Sequence, residues 1–274
     1  TMHFEILFVA IYIALMIGVG IWGALRTKTL GDFFLGGRQF GAWVTAFAYG
    51  TTYFSAVVFI GFAGKFGWNN GPAAMSVGIG NAIAGAFLAW MVLGRRTRRM
   101  THNLDVMTMP EFFFRRYGLY VMKPFAAMVI FIFLLPYSAG VYKGLAELFV
   151  AVFPGVPFTT AILIMAVITG AYLILGGYFA VAITDCIQGV IMLVGALLLV
   201  HFMAQAANPG GSIVETARLA SQKYAEHKAA GLANPGPGYL LPSIVAMTSF
   251  GCWALPQMVH KFYAVKDEKM IARG

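Results

Sequence analysis

An acid inside an apolar run is the first feature of this sequence that suggests chemistry. Asp185 lies in the stretch from Ala180 to Phe202, beside Thr184 and one turn before Gln188. A carboxylate within a span is costly unless paired or hydrated, and by default marks an ion or proton route. The competing reading is a structural carboxylate near the end of a span, satisfied by water or by a helix N-terminus. A second feature is the run Tyr49-Gly50-Thr51-Thr52-Tyr53-Phe54-Ser55-Ala56-Val57-Val58, where a membrane anchor would place Leu, Ile or Val. Either these small and hydroxyl residues allow close helix packing with hydroxyls bonded back to the helix, or the helix is broken between about Thr51 and Ser55. Freed carbonyls would then line an ion or substrate site. A third is the last apolar run, which carries Pro242, Gly251, Trp253, Pro256 and Gln257 and reads as interrupted or kinked. Asn81 is the central amide of its run, suited to a solute contact or to an interhelical hydrogen bond. Phe250 and Trp253 suit the wall of a small-solute cavity or plain packing. Hydrolytic and redox constellations are missing. The five histidines are scattered without HExxH spacing, no Walker motif occurs, and Cys186 and Cys252 form no CxxC pair.

The elements that must position these residues are membrane spans. Of the 274 residues, 60% are hydrophobic and 11% charged, against about 45–50% and about 25% in soluble domains. So large an apolar excess excludes a soluble enzyme, a disordered chain and a disulfide scaffold. Seven apolar runs stand out, roughly 4–25, 40–63, 72–93, 119–153, 158–175, 180–202 and 240–262. The net charge of +9 reflects topology rather than nucleic-acid binding. Arg26, Lys28 and Arg38, then Arg95, Arg96, Arg98, Arg99, Arg115, Arg116 and Lys123, then Lys261, Lys266, Lys269 and Arg273 fall on one side of seven alternating spans. The other side keeps Lys65, Lys143, Arg218, Lys223 and Lys228. The rule places the N-terminus outside and the C-terminus in the cytoplasm. Thr108-Met109-Pro110-Glu111 predicts a capped amphipathic helix toward Tyr117 at the cytoplasmic surface. Gly176-Gly177 predicts a tight turn between two spans. The polar stretch 204–238 predicts an external loop with one helix around Ile213 to His227.

Asp32-Phe33-Phe34-Leu35-Gly36-Gly37-Arg38 resembles the first cytoplasmic loop of the sodium:solute symporter family. Thr108-Met109-Pro110-Glu111-Phe112 with Arg115-Arg116-Tyr117 resembles its T-x-P-E-F segment. Gly176-Gly177-Tyr178-Phe179-Ala180-Val181 with Thr184, Asp185 and Gln188 resembles its most specific block. The motifs fall in order across the whole chain.

The resemblance implies an all-α membrane protein with the leucine-transporter fold, built from two inverted five-helix repeats behind one extra helix. On that plan residues 1–39 hold the extra helix and a cytoplasmic loop, and 40–203 the first repeat. An external loop spans 204–239, and 240–274 hold the first helix of the second repeat and the cytoplasmic tail. It implies a sodium-coupled transporter, not an enzyme, that imports a small solute by alternating access in the plasma (inner) membrane. No nucleic acid is involved. Carried over onto this sequence, Na⁺ is held by the backbone carbonyls of Thr51 and Phe54, with Asp185 at an additional sodium site or exit, and no other metal is implied. Oxygen ligands suit this hard cation. Ser55 and Val58 face the solute cavity, with Asn81, Phe250 and Trp253 as further contacts. Val57 and Val58 stand where sugar carriers place polar groups, which favours an organic anion or an amino-acid-like solute over a hexose. The family's remaining helices would lie beyond Gly274, so the chain is expected to be an N-terminal portion, completed by a further segment or a second chain. A different class of function, a symporter-like membrane sensor domain of a signalling protein, would show a cytosolic linker and kinase there instead.

Overall fold

The computed structural model describes residues 2–54, 63–153 and 155–274. Its helices are α1 (Met2–Arg26), α2 (Leu30–Leu35), α3 (Ala42–Tyr53), α4 (Gly64–Asn70), α5 (Met75–Gly80), α6 (Arg95–Asn103), α7 (Met109–Tyr117), α8 (Met122–Val152), α9 (Phe158–Ala207), α10 (Ile213–Ala229), α11 (Leu240–Trp253), α12 (Pro256–Ala264) and α13 (Glu268–Arg273). Between α5 and α6 the helix runs through two π-helical stretches, Asn81–Phe87 and Trp90–Gly94. Among the described residues, four helical stretches are long and apolar enough to cross a membrane: Ile6–Arg26, Gly64–Asn103, Met122–Val152 and Phe158–Ala207. Their flanks leave large apolar side chains such as Phe131, Leu163 and Leu197 uncovered. The chain is a multi-pass membrane protein.

The 50 residues of α9 would reach about 75 Å at 1.5 Å per residue, far beyond the roughly 30 Å of a bilayer core. Gly177 divides them. Its φ of 56° and ψ of −160° lie outside helical space, in a region that glycine alone enters readily. The tight turn expected at Gly176-Gly177 is the break between two helices: before it Tyr172 and Gly176 meet Gly20 and Gly23 of α1, and after it Ala180 and Gln188 meet Gly23 and Met16, so the chain doubles back along α1. The turn admits α2, for a Cβ on Gly177 would lie 3.1 Å from the carbonyl oxygen of Phe33. α1 crosses the same region on small residues. A Cβ on Gly23 would stand 2.8 Å from Ala180 Cβ and 2.9 Å from the Gly176 carbonyl oxygen, the close backbone approach that glycine permits between membrane helices.

Side-chain caps open two of the helices beside the spans, one of them expected. Thr108 Oγ1 accepts from the Glu111 amide at 3.4 Å, while the Glu111 carboxylate accepts from the Met107 amide at 3.1 Å, so α7 starts where predicted. Ser212 and Glu215 form a reciprocal capping box at the start of α10.

Packing converges on α12. Tyr263 joins Leu35 and Val106, Ala264 joins Phe40 and Ala182, and Met258 and Phe262 join Tyr49. Arg98 caps the end of this short helix from α6, donating through Nε to the Val265 carbonyl at 2.7 Å and through Nη2 to that of Lys266 at 2.9 Å. The Lys266 amide in turn donates to the Phe40 carbonyl at 3.0 Å. A segment expected to end a span and open a cytoplasmic tail is thus buried, because Leu35, Phe40, Tyr49, Val106 and Ala182, drawn from well-separated parts of the sequence, close around it.

Candidate functional site

The helix of the second apolar run stops early. α3 ends at Tyr53, and Phe54 is its C-cap with φ −84° and ψ 74°. Thr51 remains helical, so unwinding begins about three residues later than its expected start at Thr51. The last carbonyls of a helix lack intrahelical partners and carry the negative end of its dipole. The carbonyls of Thr51 and Phe54 belong to that end, which suits a cation. Ser55 and Val58 lie outside the described residues.

The last apolar run is broken as well. α11 closes at Trp253, Leu255 is extended at φ −63° and ψ 127°, and Pro256 opens α12. Proline lacks the N–H that a continuing helix would use, and starts a new helix well.

Asp185 meets both broken elements. Its backbone carbonyl accepts a hydrogen bond from Thr51 Oγ1 at 2.9 Å. Its carboxylate Oδ2 accepts one from Lys261 Nζ at 2.6 Å. The ammonium is 3% exposed as a residue and stands 5.4 Å from the centroid of the Tyr178 ring, within cation–π range. Gly189, one turn beyond Asp185, lets α3 approach, since a Cβ there would meet Thr51 Oγ1 and Phe47. The carboxylate expected to serve sodium is therefore paired with a lysine. Sequence reading assigned Lys261 to the cytoplasmic charge count. The signal against that assignment was its place one residue before the end of an apolar run, where an ammonium needs a partner.

Two residues further along α3, and so on roughly the opposite side of the helix, Tyr53 enters a second cluster. Its hydroxyl bonds to Asn81 Oδ1. Thr248 Oγ1 and Ser249 Oγ of α11 donate to the same oxygen at 2.9 and 3.2 Å, and Asn81 Nδ2 donates to the Val77 carbonyl at 2.8 Å. Trp253 Nε1 donates to the Ala84 carbonyl at 2.9 Å, and the Tyr49 hydroxyl reaches the Gly85 carbonyl at 3.4 Å. Both acceptors lie in the π-helical stretch, a form that recurs at functional sites. Phe250 rests against Trp253, ring centroids 5.1 Å apart, and stays more than half exposed. So the structure gathers Thr51 with Asp185, and Asn81 with Trp253 and Phe250, on two sides of α3. Tyr53, Thr248 and Ser249 were missed because hydroxyls near a span centre carry no periodic signal of their partner.

The family model for the sodium:solute symporter family matches residues 33–274. The chain belongs to the sodium:solute symporter family. It is 28% identical over 272 residues to sodium/proline symporters of Staphylococcus aureus, in strains JH9 and Mu3 alike. That alignment takes in 97% of this chain and 51% of the symporter, so the chain spans about half the length of the curated relatives it matches. A solved structure of a Na⁺-coupled sialic acid symporter, in a substrate-bound outward-open state, superposes on 100% of this chain and 55% of its own, with a TM-score of 0.75 and 20% identity. At that identity the likeness shows the symporter fold.

Proposed function

We propose that this symporter-family chain supplies the first half of a sodium-coupled secondary active transporter that imports a small solute by alternating access. The observation that carries the reading is the meeting of Thr51, at the open end of α3, with Asp185 beside the broken α11–α12 pair. Broken helices near mid-membrane, presenting carbonyls to an ion, are the recurring architecture of such sites. Na⁺ is the coupling ion, held by the carbonyls of Thr51 and Phe54 and served by the Asp185 carboxylate. These are few oxygens for an alkali ion, which exchanges most of a hydration shell on binding. A further segment or a second chain therefore supplies the rest. The solute binds beside Ser55, Val58, Phe250 and Trp253. Proline and sialic acid, named for the relatives, both carry a carboxylate, which supports an organic anion or amino-acid-like solute over a hexose.

The protein lies in the plasma (inner) membrane with its N-terminus outside. Cysteine labelling at Ser212 from outside, and at Thr97 only after permeabilisation, is the expected topology result. The functional test is uptake of radiolabelled amino acids and small organic acids into vesicles that carry this chain together with the segment or second chain that completes it, under an inward sodium gradient. Sodium-dependent uptake is expected for one of them, with Asp185→Asn raising the sodium concentration needed for half-maximal rate. Uptake equal in sodium and in choline would refute the coupling, and an unchanged sodium curve in Asp185→Asn would remove Asp185 from the ion route.

A further inference from the structure

The proposed role for Asp185 leaves its partner unexplained. Lys261 is charged, buried and contributed by α12, the inner half of a broken helix. A buried ion pair is retained at a desolvation cost that its Coulomb attraction recovers only with good geometry and full hydrogen bonding. This pair is incompletely bonded. An ammonium has three donors, and among the described residues one of them is used, on Asp185 Oδ2. A well-packed apolar pair would hold α12 to α9 as firmly, so the charges need another reason.

A second observation lies one turn earlier on the same helix. Gln257 Oε1 is buried and has no hydrogen-bond partner among the described residues. Positions i and i+4 share a helix face, so Gln257 presents an idle acceptor beside the lysine. Gln257, Lys261 and Tyr178 line one cavity of about 940 Å³, which gives the ammonium room to move between the two oxygens. The Tyr178 ring face, already near Nζ, borders that route.

We propose that Lys261 is a tethered stand-in for the coupling cation, resting on Asp185 when no free cation is there and passing to Gln257 when sodium takes the carboxylate. This inference rests on the sodium reading above and adds what that reading lacks, a means by which the ion reaches α12. One carboxylate neutralises one monovalent cation. Sodium arriving at Asp185 therefore meets the ammonium as a competitor, and its departure restores the pair. The exchange makes or breaks a bond between α9 and α12, so occupancy of the ion site sets whether those elements are tied. Lys261 is a positioning residue in this scheme and touches neither solute nor sodium.

The test is sodium binding by the purified transporter, this chain with the segment or second chain that completes it, read as thermal stabilisation on titrating sodium chloride against choline chloride at constant ionic strength. Lys261→Met removes the competitor, and half-saturation is expected at roughly tenfold lower sodium. Gln257→Leu removes the receiving oxygen, and half-saturation is expected to rise severalfold. Lys261→Arg keeps the charge and is expected to stay near the wild-type value. Opposite shifts from two neighbours on one helix are not produced by a general loss of packing. An unchanged or raised half-saturation in Lys261→Met, with Asp185→Asn weakening sodium binding, overturns the inference and leaves the sodium reading intact. No effect of Asp185→Asn overturns both. Should Lys261→Met fail to fold, the wild-type protein serves. Acetylation of Lys261, followed by mass spectrometry, is expected to rise several-fold in sodium over choline, and equal labelling overturns the proposal.

Discussion

Replacing Asn81 with alanine tests whether the cluster beside α3 is a structural tie or a solute contact. The carboxamide oxygen is shared by three hydroxyls from two helices. Thr248 has a second acceptor in the Ile244 carbonyl at 2.7 Å and loses little. Tyr53 and Ser249 lose the acceptor that they share, and can turn to each other, so one buried hydroxyl is left short. A buried group without its partner costs about 1–3 kcal/mol, while single hydrogen bonds between membrane helices average about 0.6 kcal/mol. The expected loss is about 2 kcal/mol, roughly thirtyfold in the folding equilibrium. The assay is reversible unfolding in detergent micelles, run as a double-mutant cycle with Ser249→Ala. A coupling energy near 1 kcal/mol between the two sites is expected. An Asn81→Ala variant within about 0.5 kcal/mol of wild type, with a large rise in KM for solute, would refute the tie and make Asn81 a solute ligand.

Three further outcomes follow from the geometry. Gly177→Ala forces a Cβ into positive φ and against the Phe33 backbone; a loss of about 2–4 kcal/mol is expected from left-handed strain and contact together, seen as a lowered unfolding midpoint. Trp253→Phe keeps the ring but deletes the donor to Ala84, and is expected to cost about 1 kcal/mol, with faster amide exchange across Asn81–Phe87. Glu268 receives both hydrogen bonds of an Arg99 fork at 2.9 and 2.8 Å. These bonds hold its carboxyl below the ordinary range. A carboxyl whose folded pKa is depressed stabilises above its unfolded value and loses that contribution as pH falls through the folded value. Hydrogen exchange in α13 is therefore expected to quicken on acidification below the usual carboxylate range, and Arg99→Gln to show no such step.

Much of this architecture was legible in the sequence because lipid leaves few choices. Long apolar runs become helices, and Pro256 announced the break before α12 by lacking an amide donor. Thr108 announced a helix start through its side-chain oxygen. The early stop of α3 was legible from Gly50 to Ser55, although helical bonding persisted to Tyr53. The turn at Gly177 was legible because a glycine pair between two apolar runs permits the positive φ that a reversal requires. The π-helical stretch from Asn81 had no signal, because the donors to its carbonyls, Tyr49 and Trp253, come from distant parts of the chain. Lys261 was the largest miss. A lysine near the end of an apolar run fits the positive-inside pattern, and its partner lies 76 residues away, a separation that no periodicity bridges.

That separation bears on how the protein is made. A ribosome emits roughly 5–20 residues per second, so Asp185 leaves the tunnel some 4–15 seconds before Lys261 does. During that interval the carboxylate has no ammonium, and the slot later filled by α12, against Leu35, Phe40 and Tyr49, is vacant. The nascent span must wait, held at the aqueous edge of the insertion machinery, until its counter-charge emerges. Arrival of α12 closes three apolar clusters and one ion pair at once, which makes the last span synthesised here the keystone of those inserted before it.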